Sequence, residues 1–241
     1  MLNKAIQFYA VTAAFALGVA GASSSSMAAL ISASVGGTPV GAAVYENFNN
    51  LPAGAGGGTT SSGIKVSFSG PGAAAVSLPD VSGQYAAPFL SASNGVPFGD
   101  FHASGADQTG YLATGIGSVT LDLGGYDQYF GLLWGSVDTA NSLSFYDGNT
   151  LLFTYTGHDV DSLANGNQGA AGTLYVNINS DSPFNKVVAS STAYAFEFDN
   201  VALGLRPISL NETAQIPEPG TLALMGLGLL AGIANRRRRT L

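Results

Sequence analysis

Apolar and polar residues alternate in steps of two through several short stretches of this chain, each bounded by Gly, Asn, Asp or Ser. That pattern predicts β-strands with one face on a core. Ile64–Phe68, Val119–Leu123 and Leu174–Ile178 alternate cleanly. Leu143–Phe145 leads through Tyr146-Asp147-Gly148-Asn149 into Leu151–Thr156, a hairpin signal with turn-forming residues between two strands. Tyr129–Trp134 is apolar without a break, which fits a central strand buried on both faces, although period alone does not separate it from a buried helix. Further strands are predicted at Val44–Phe48, Ala74–Leu78, Tyr111–Thr114 and Lys186–Ser190, with a last one over Tyr194–Leu205, broken near Asn200. No long amphipathic helix competes with them. Roughly ten to twelve strands at this spacing predict an all-β fold, a β-sandwich of jelly-roll type.

The two ends follow different patterns. Lys4 precedes an apolar run, Ala5–Gly21, and small residues then offer cleavage after Ala22 or Ala28. This predicts a signal peptide over residues 1–28, with Ala28 the preferred site. At the other end, Pro217 and Pro219 flank Glu218, which removes two backbone donors and favours extended backbone. A helix starting at Pro219 and running to Ala234 would be about 24 Å long. A bilayer core is about 30 Å thick, so the expected transmembrane helix is short for its task. Arg236, Arg237, Arg238 and Arg239 follow it and are expected to stay cytoplasmic, which places the long N-terminal part outside. Gly228 and Gly232 give a small-residue spacing suited to packing against another membrane helix.

Pro217-Glu218-Pro219, the apolar span and the arginine cluster together resemble the PEP-CTERM sorting signal of bacterial exosortase substrates. The resemblance covers Ile216 to Leu241. It implies an inner-membrane hold after export through the Sec translocon, then processing by an exosortase near the motif. It also implies a Gram-negative cell that makes exopolysaccharide, with the mature protein at the cell surface or in the extracellular matrix. The runs Tyr129–Asp138 and Asn141–Gly148 are similar to a family of exosortase-dependent surface proteins, loosely over residues 44–206, and imply no activity. The expected layout is a signal peptide at 1–28, an exported β-domain at 29–210, a linker at 211–215 and the sorting signal at 216–241.

Charge sharpens the picture of the exported part. The whole chain has a formal charge of −7, but five of its eight bases are Lys4 and the four terminal arginines. Between residues 29 and 215 only Lys65, Lys186 and Arg206 stand against fourteen acids. Such a domain repels phosphates and makes no nucleic-acid partner. It suits divalent cations or a hydrated extracellular polysaccharide. There is no cysteine, which removes disulfides, thiolate catalysis and thiolate metal sites.

Candidate chemistry is sparse. The two histidines, His102 and His158, lie in polar loops, and neither a nucleophile elbow nor a His-Glu-x-x-His helix is present. His158-Asp159-Val160-Asp161 has metal-ligand types but reads as loop polarity. Gly54–Gly58 lacks the Lys that a phosphate loop needs. The expectation is therefore a protein that is not an enzyme; a glycan hydrolase, which needs only two facing carboxylates, is the enzyme alternative. Phe196–Val201 resembles the closing strand of carbohydrate-binding jelly rolls, and this implies a structural calcium on Asp199 with Glu46 as the first-strand partner. No other cofactor is expected. Trp134 reads as core, so Tyr126 is the candidate platform for a sugar in a lectin-like alternative.

Overall fold

The computed structural model describes residues 29–39, 41–76 and 80–209. The expected signal peptide, the linker at 211–215 and the sorting signal lie outside the described residues. Thirteen strands are present among them: β1 (Leu30–Ser34), β2 (Val44–Glu46), β3 (Gly58–Thr59), β4 (Lys65–Ser69), β5 (Ala74–Val76), β6 (Phe89–Leu90), β7 (Gly105–Ala106), β8 (Tyr111–Thr114), β9 (Gly117–Gly135), β10 (Asn141–Asp147), β11 (Thr150–Thr156), β12 (Leu174–Ser191) and β13 (Phe196–Gly204). Two short helical turns, Val96–Phe98 and Gly157–Val160, complete the elements. The fold is all-β, and every ladder is antiparallel. Among the described residues no helix is long and apolar enough to cross a membrane.

Two long neighbouring strands, β9 and β12, organise the main sheet. In one arm, Gly117–Asp122 of β9 pairs with Lys186–Ser191 of β12; β4 then extends the β9 side, while β10 and β11 extend the β12 side. In the other arm, Tyr129–Trp134 pairs with Leu174–Asn179; β1 borders β12, and β13 borders β9. The far edge of β13 is shared by β8 and β2. Between the arms the β9–β12 ladder is interrupted, around Gly124-Gly125-Tyr126 and Ser180–Pro183. The sequence pattern predicts separate strands on either side of these points, because Gly-Gly and Ser-Asp-Ser-Pro read as turns. Instead the chain bends and continues. Gly124 takes φ 72°, which a residue with a Cβ rarely adopts, and Pro183 sits where no ladder hydrogen bond is required of it.

Side chains of both arms meet in one core. Phe145 of β10 packs edge-on against Phe130 of β9 and Phe184 of β12, with ring centroids 5.5 and 5.0 Å apart. Trp134 stacks on Phe196 at 4.4 Å, in agreement with its reading as a core residue. The hairpin closes through Gly148 and Asn149 as its pattern predicts. β13 breaks register between Asp199 and Ala202, with Asn200 at φ 53°.

Candidate functional site

The second arm has two buried faces. Phe130, Leu132, Trp134, Val176, Ile178, Phe196, Phe198, Val201 and Leu203 point into the main core. Their alternate neighbours Tyr129, Leu133, Tyr175 and Ala202 form a separate cluster on the outer face, with Leu90 and Phe98 packed over them. Leu90 and Phe98 come from a flap, residues 81–110, whose only strands are the two-residue β6 and β7. Double-sided burial explains why Tyr129–Trp134 is apolar throughout. The flap has no period-two pattern to announce it.

The outer face also carries two acids. Strand alternation puts Glu197 and Asp199 on it, between the core-facing Phe196 and Phe198 and the bulge at Asn200. Glu197 Oε1 accepts a 2.9 Å hydrogen bond from the Ala86 amide of the flap, while its Oε2 has no partner. Burial pushes its carboxyl up to about 7, against the pull of the Ala86 amide. Asp199 is fully buried, and neither carboxyl oxygen has a partner. Asp107 and Asp100 of the flap are close enough for their charges to act on it. Burial first, and then Asp107, hold Asp199 well above the usual carboxylate range. Burial likewise raises Asp100.

The flap acids are positioned by their own turns. Asp107 Oδ1 accepts from the Thr109 amide and hydroxyl at 2.8 and 2.7 Å. Asp100 Oδ1 accepts from the His102 amide at 2.8 Å. In each, Oδ2 is left buried without a partner. The flap itself is tied down by Phe89 N–H to Thr173 Oγ1, by Asn47 Nδ2–H to the Phe98 carbonyl at 2.7 Å, and by Phe98 against Tyr45.

Glu46 and Asp199, the pair expected to share calcium, are not brought together. Glu46 lies opposite Val201, which faces the main core, whereas Asp199 faces the flap. Both Glu46 oxygens are already occupied, Oε1 by the Phe48 amide and Oε2 by the Ser62 amide and hydroxyl. Among the described residues no three His, Cys, Asp or Glu side chains are grouped to hold a metal ion. Asp159 caps the Gly157–Val160 turn through Thr156, and Asp161 accepts from the Leu163 amide, so both serve local backbone. Tyr126 is half exposed at the bend between the arms and donates to Asp147 Oδ1 at 2.9 Å, which raises its hydroxyl. A pocket lined by residues such as Phe48, Leu51, Val76 and Tyr111 holds about 80 Å³. Small-molecule sites usually begin near 300 Å³.

Sequence reasoning singled out Asp199 but missed Asp100, Asp107 and Glu197 as its company. The available signal was the acid content of a Gly/Ser/Pro-rich loop, together with two acids alternating with Phe in the last strand.

The chain carries a PEP-CTERM protein-sorting motif: that family model matches residues 215–239. No curated protein matches the chain, and no solved structure does. The matched residues contain Pro217, Glu218, Pro219 and the arginines 236–239, all outside the described residues.

Proposed function

We propose that this is an exported cell-surface or extracellular-matrix protein, handed to an exosortase through its C-terminal signal, with a structural or adhesive role in exopolysaccharide. The sorting motif at residues 215–239 is the observation that carries this reading. The Sec translocon delivers the chain, residues 1–28 are removed, and the tail at 216–241 holds the protein in the inner membrane of a Gram-negative cell until it is processed. The β-domain at 29–210 then leaves for the surface. It reads as a β-sandwich folded from one bent sheet, supported by the single core shared between the arms. Jelly-roll connectivity draws no support from a strand order in which two adjacent strands run through both arms.

A non-enzymatic role is favoured because Asp107 and Asp199, the two acids fully buried at the flap, are both sealed from solvent. A glycan cannot reach them with the flap closed. The lectin-like alternative rests on Tyr126, an exposed ring beside a carboxylate at the surface. Intact-mass spectrometry of the mature protein, from cells with and without exosortase, tests the sorting reading. Loss of the C-terminal tail only when the exosortase is present is expected; the same tail-bearing mass in both cells defeats it. Specific, saturable binding on a glycan array, lost in Tyr126→Ala, would favour the lectin.

A further inference from the structure

The first arm also has an outward face, and the ladder registers line it up in three rows across β4, β9, β12, β10 and β11. One row runs Ser69, Ser118, Ser190, Ser142 and Thr156. The next runs Ser67, Thr120, Val188, Ser144 and Thr154. The third, nearest the bend, runs Lys65, Asp122, Lys186, Tyr146 and Leu151. None of the fifteen is buried, while residues that alternate with them, such as Val66, Leu121, Val187 and Phe145, lie in the core. With strands about 4.8 Å apart, the open face is about 19 Å across.

The chemistry of this face differs from that of the rest of the domain. Nine of the fifteen residues are Ser or Thr, and six of the nine are Ser, which strand propensity does not favour. Each hydroxyl can both donate and accept. Thr156 donates its hydroxyl to Asp159, and Ser144 and Thr154 share a 2.8 Å hydrogen bond across their strands. Charge is scarce. Of the fourteen acids and three bases between residues 29 and 215, the face carries Asp122, Lys65 and Lys186. Asp122 stands directly opposite a lysine on each side. Lys186 lies over the Tyr146 ring at 4.9 Å and donates to Asn149. A nearly neutral plane of hydroxyls therefore sits on a strongly acidic domain. Val188 and Leu151 offer little apolar area to bury against a protein, and a second copy would bring its own acidic surroundings. The same acids repel a polyanion. A neutral, polyhydroxylated chain is the partner that matches both the charge and the hydrogen-bonding groups.

We infer that this five-stranded face of the first arm is a docking surface for an extended neutral polysaccharide, laid flat across the hydroxyl rows. The inference rests on the exopolysaccharide reading above and gives it a place on the molecule. Each hydroxyl contact replaces one made to water and adds little alone, so affinity comes from many contacts made by one long chain.

Affinity electrophoresis of the full-length protein in mild detergent, through gels holding hydroxyethylcellulose or galactomannan, tests the surface. Retardation by at least one of these neutral polymers is expected, and it should persist at about 0.5 M salt because no net charge is being matched. Polygalacturonate, which carries carboxylates, should not retard the protein. Ser67→Glu with Thr154→Glu, both at exposed positions, places charge among the hydroxyls. That pair should weaken binding about tenfold, since a carboxylate is then desolvated without a partner. Leu163→Glu with Leu205→Glu, at positions 81% and 70% exposed and off the face, adds the same charge and should change nothing. If the first pair does not fold, Thr120→Ala with Ser144→Ala provides the second reading, with a loss of about threefold. No retardation by either neutral polymer, equal retardation by polygalacturonate, or full retardation of both face pairs overturns the proposal. Retardation lost in Tyr126→Ala but kept in the face pairs also overturns it, in favour of the lectin-like site at the bend. The mass of the mature tail is unaffected by any of these results, so the docking surface and the sorting reading can fail separately.

Discussion

The two faces of the second arm are made by the same strands, β9, β12 and β13, yet they solve burial in different ways. The inner face presents Phe130, Trp134, Ile178, Phe196 and Phe198 to a core shared by both arms. The outer face interleaves Tyr129, Leu133 and Tyr175 with Glu197 and Asp199 beneath a flap that has almost no ladder of its own. Dispersion and apolar burial hold the first face together whatever the pH. The second buries carboxyl groups, and burial favours their protonated form. A strand can thus carry a permanent contact on one side and a conditional one on the other, with register common to both.

The widest separation between the faces should come from large-to-small substitutions. Trp134→Ala removes the ring stacked on Phe196 and is expected to cost about 3–5 kcal/mol in denaturant unfolding. Phe98→Ala on the flap should cost less, because the flap can open without unfolding the sheet. Equal costs would mean that the two faces unfold as one unit, and the contrast would fail.

Next in size is the response to charge removal on the outer face. Glu197 has its folded value raised to about 7, so its stabilising effect is complete below its ordinary value near 4.5 and is lost as pH rises through about 7. The difference amounts to roughly 3 kcal/mol. Glu197→Gln should therefore be more stable than the parent at pH 8 and nearly equal to it at pH 4.5, as read from paired denaturation curves. A loss of stability at pH 8 would show that the charged form is the one the fold prefers. At the smallest end, Tyr126→Phe removes only an exposed hydrogen bond to Asp147 and should leave the unfolding midpoint unchanged. A clear shift there would show that the bend between the arms carries more of the fold than its exposure implies.

Much of the inner face was legible in the sequence, because alternation marks strands that bury one side and an unbroken apolar run marks one that buries both. The break at Asn200, the hairpin around Gly148 and the burial of Trp134 all follow from such patterns. The continuity of β9 and β12 did not, since Gly124-Gly125 and Ser180–Pro183 carry turn chemistry that here serves a paired bend. The flap was illegible for a related reason: it is held by side chains reaching its backbone, at Glu197, Asn47 and Thr173, and that leaves no periodic trace. Asp199 stood out in the sequence, but Asp107 and Asp100, the flap acids whose charges act on it, are 92 and 99 positions earlier. Resemblance pointed to Glu46, which the pleat places on the opposite face.

Among the described residues, every acid whose affinity for its proton is clearly displaced is displaced upward: Asp100, Asp127, Asp138, Glu197 and Asp199, each chiefly by burial. Each binds its proton more tightly folded than unfolded, so each favours the folded state at low pH and stops doing so as pH rises through its folded value. The thermal unfolding midpoint of the mature protein, followed from pH 4.5 to pH 8 at constant ionic strength, bears most directly on the claim that the outer face is held by protonated acids. A midpoint that is highest near pH 4.5–5 and falls steadily towards pH 8 is expected. A midpoint that rises with pH, or stays level, would contradict it.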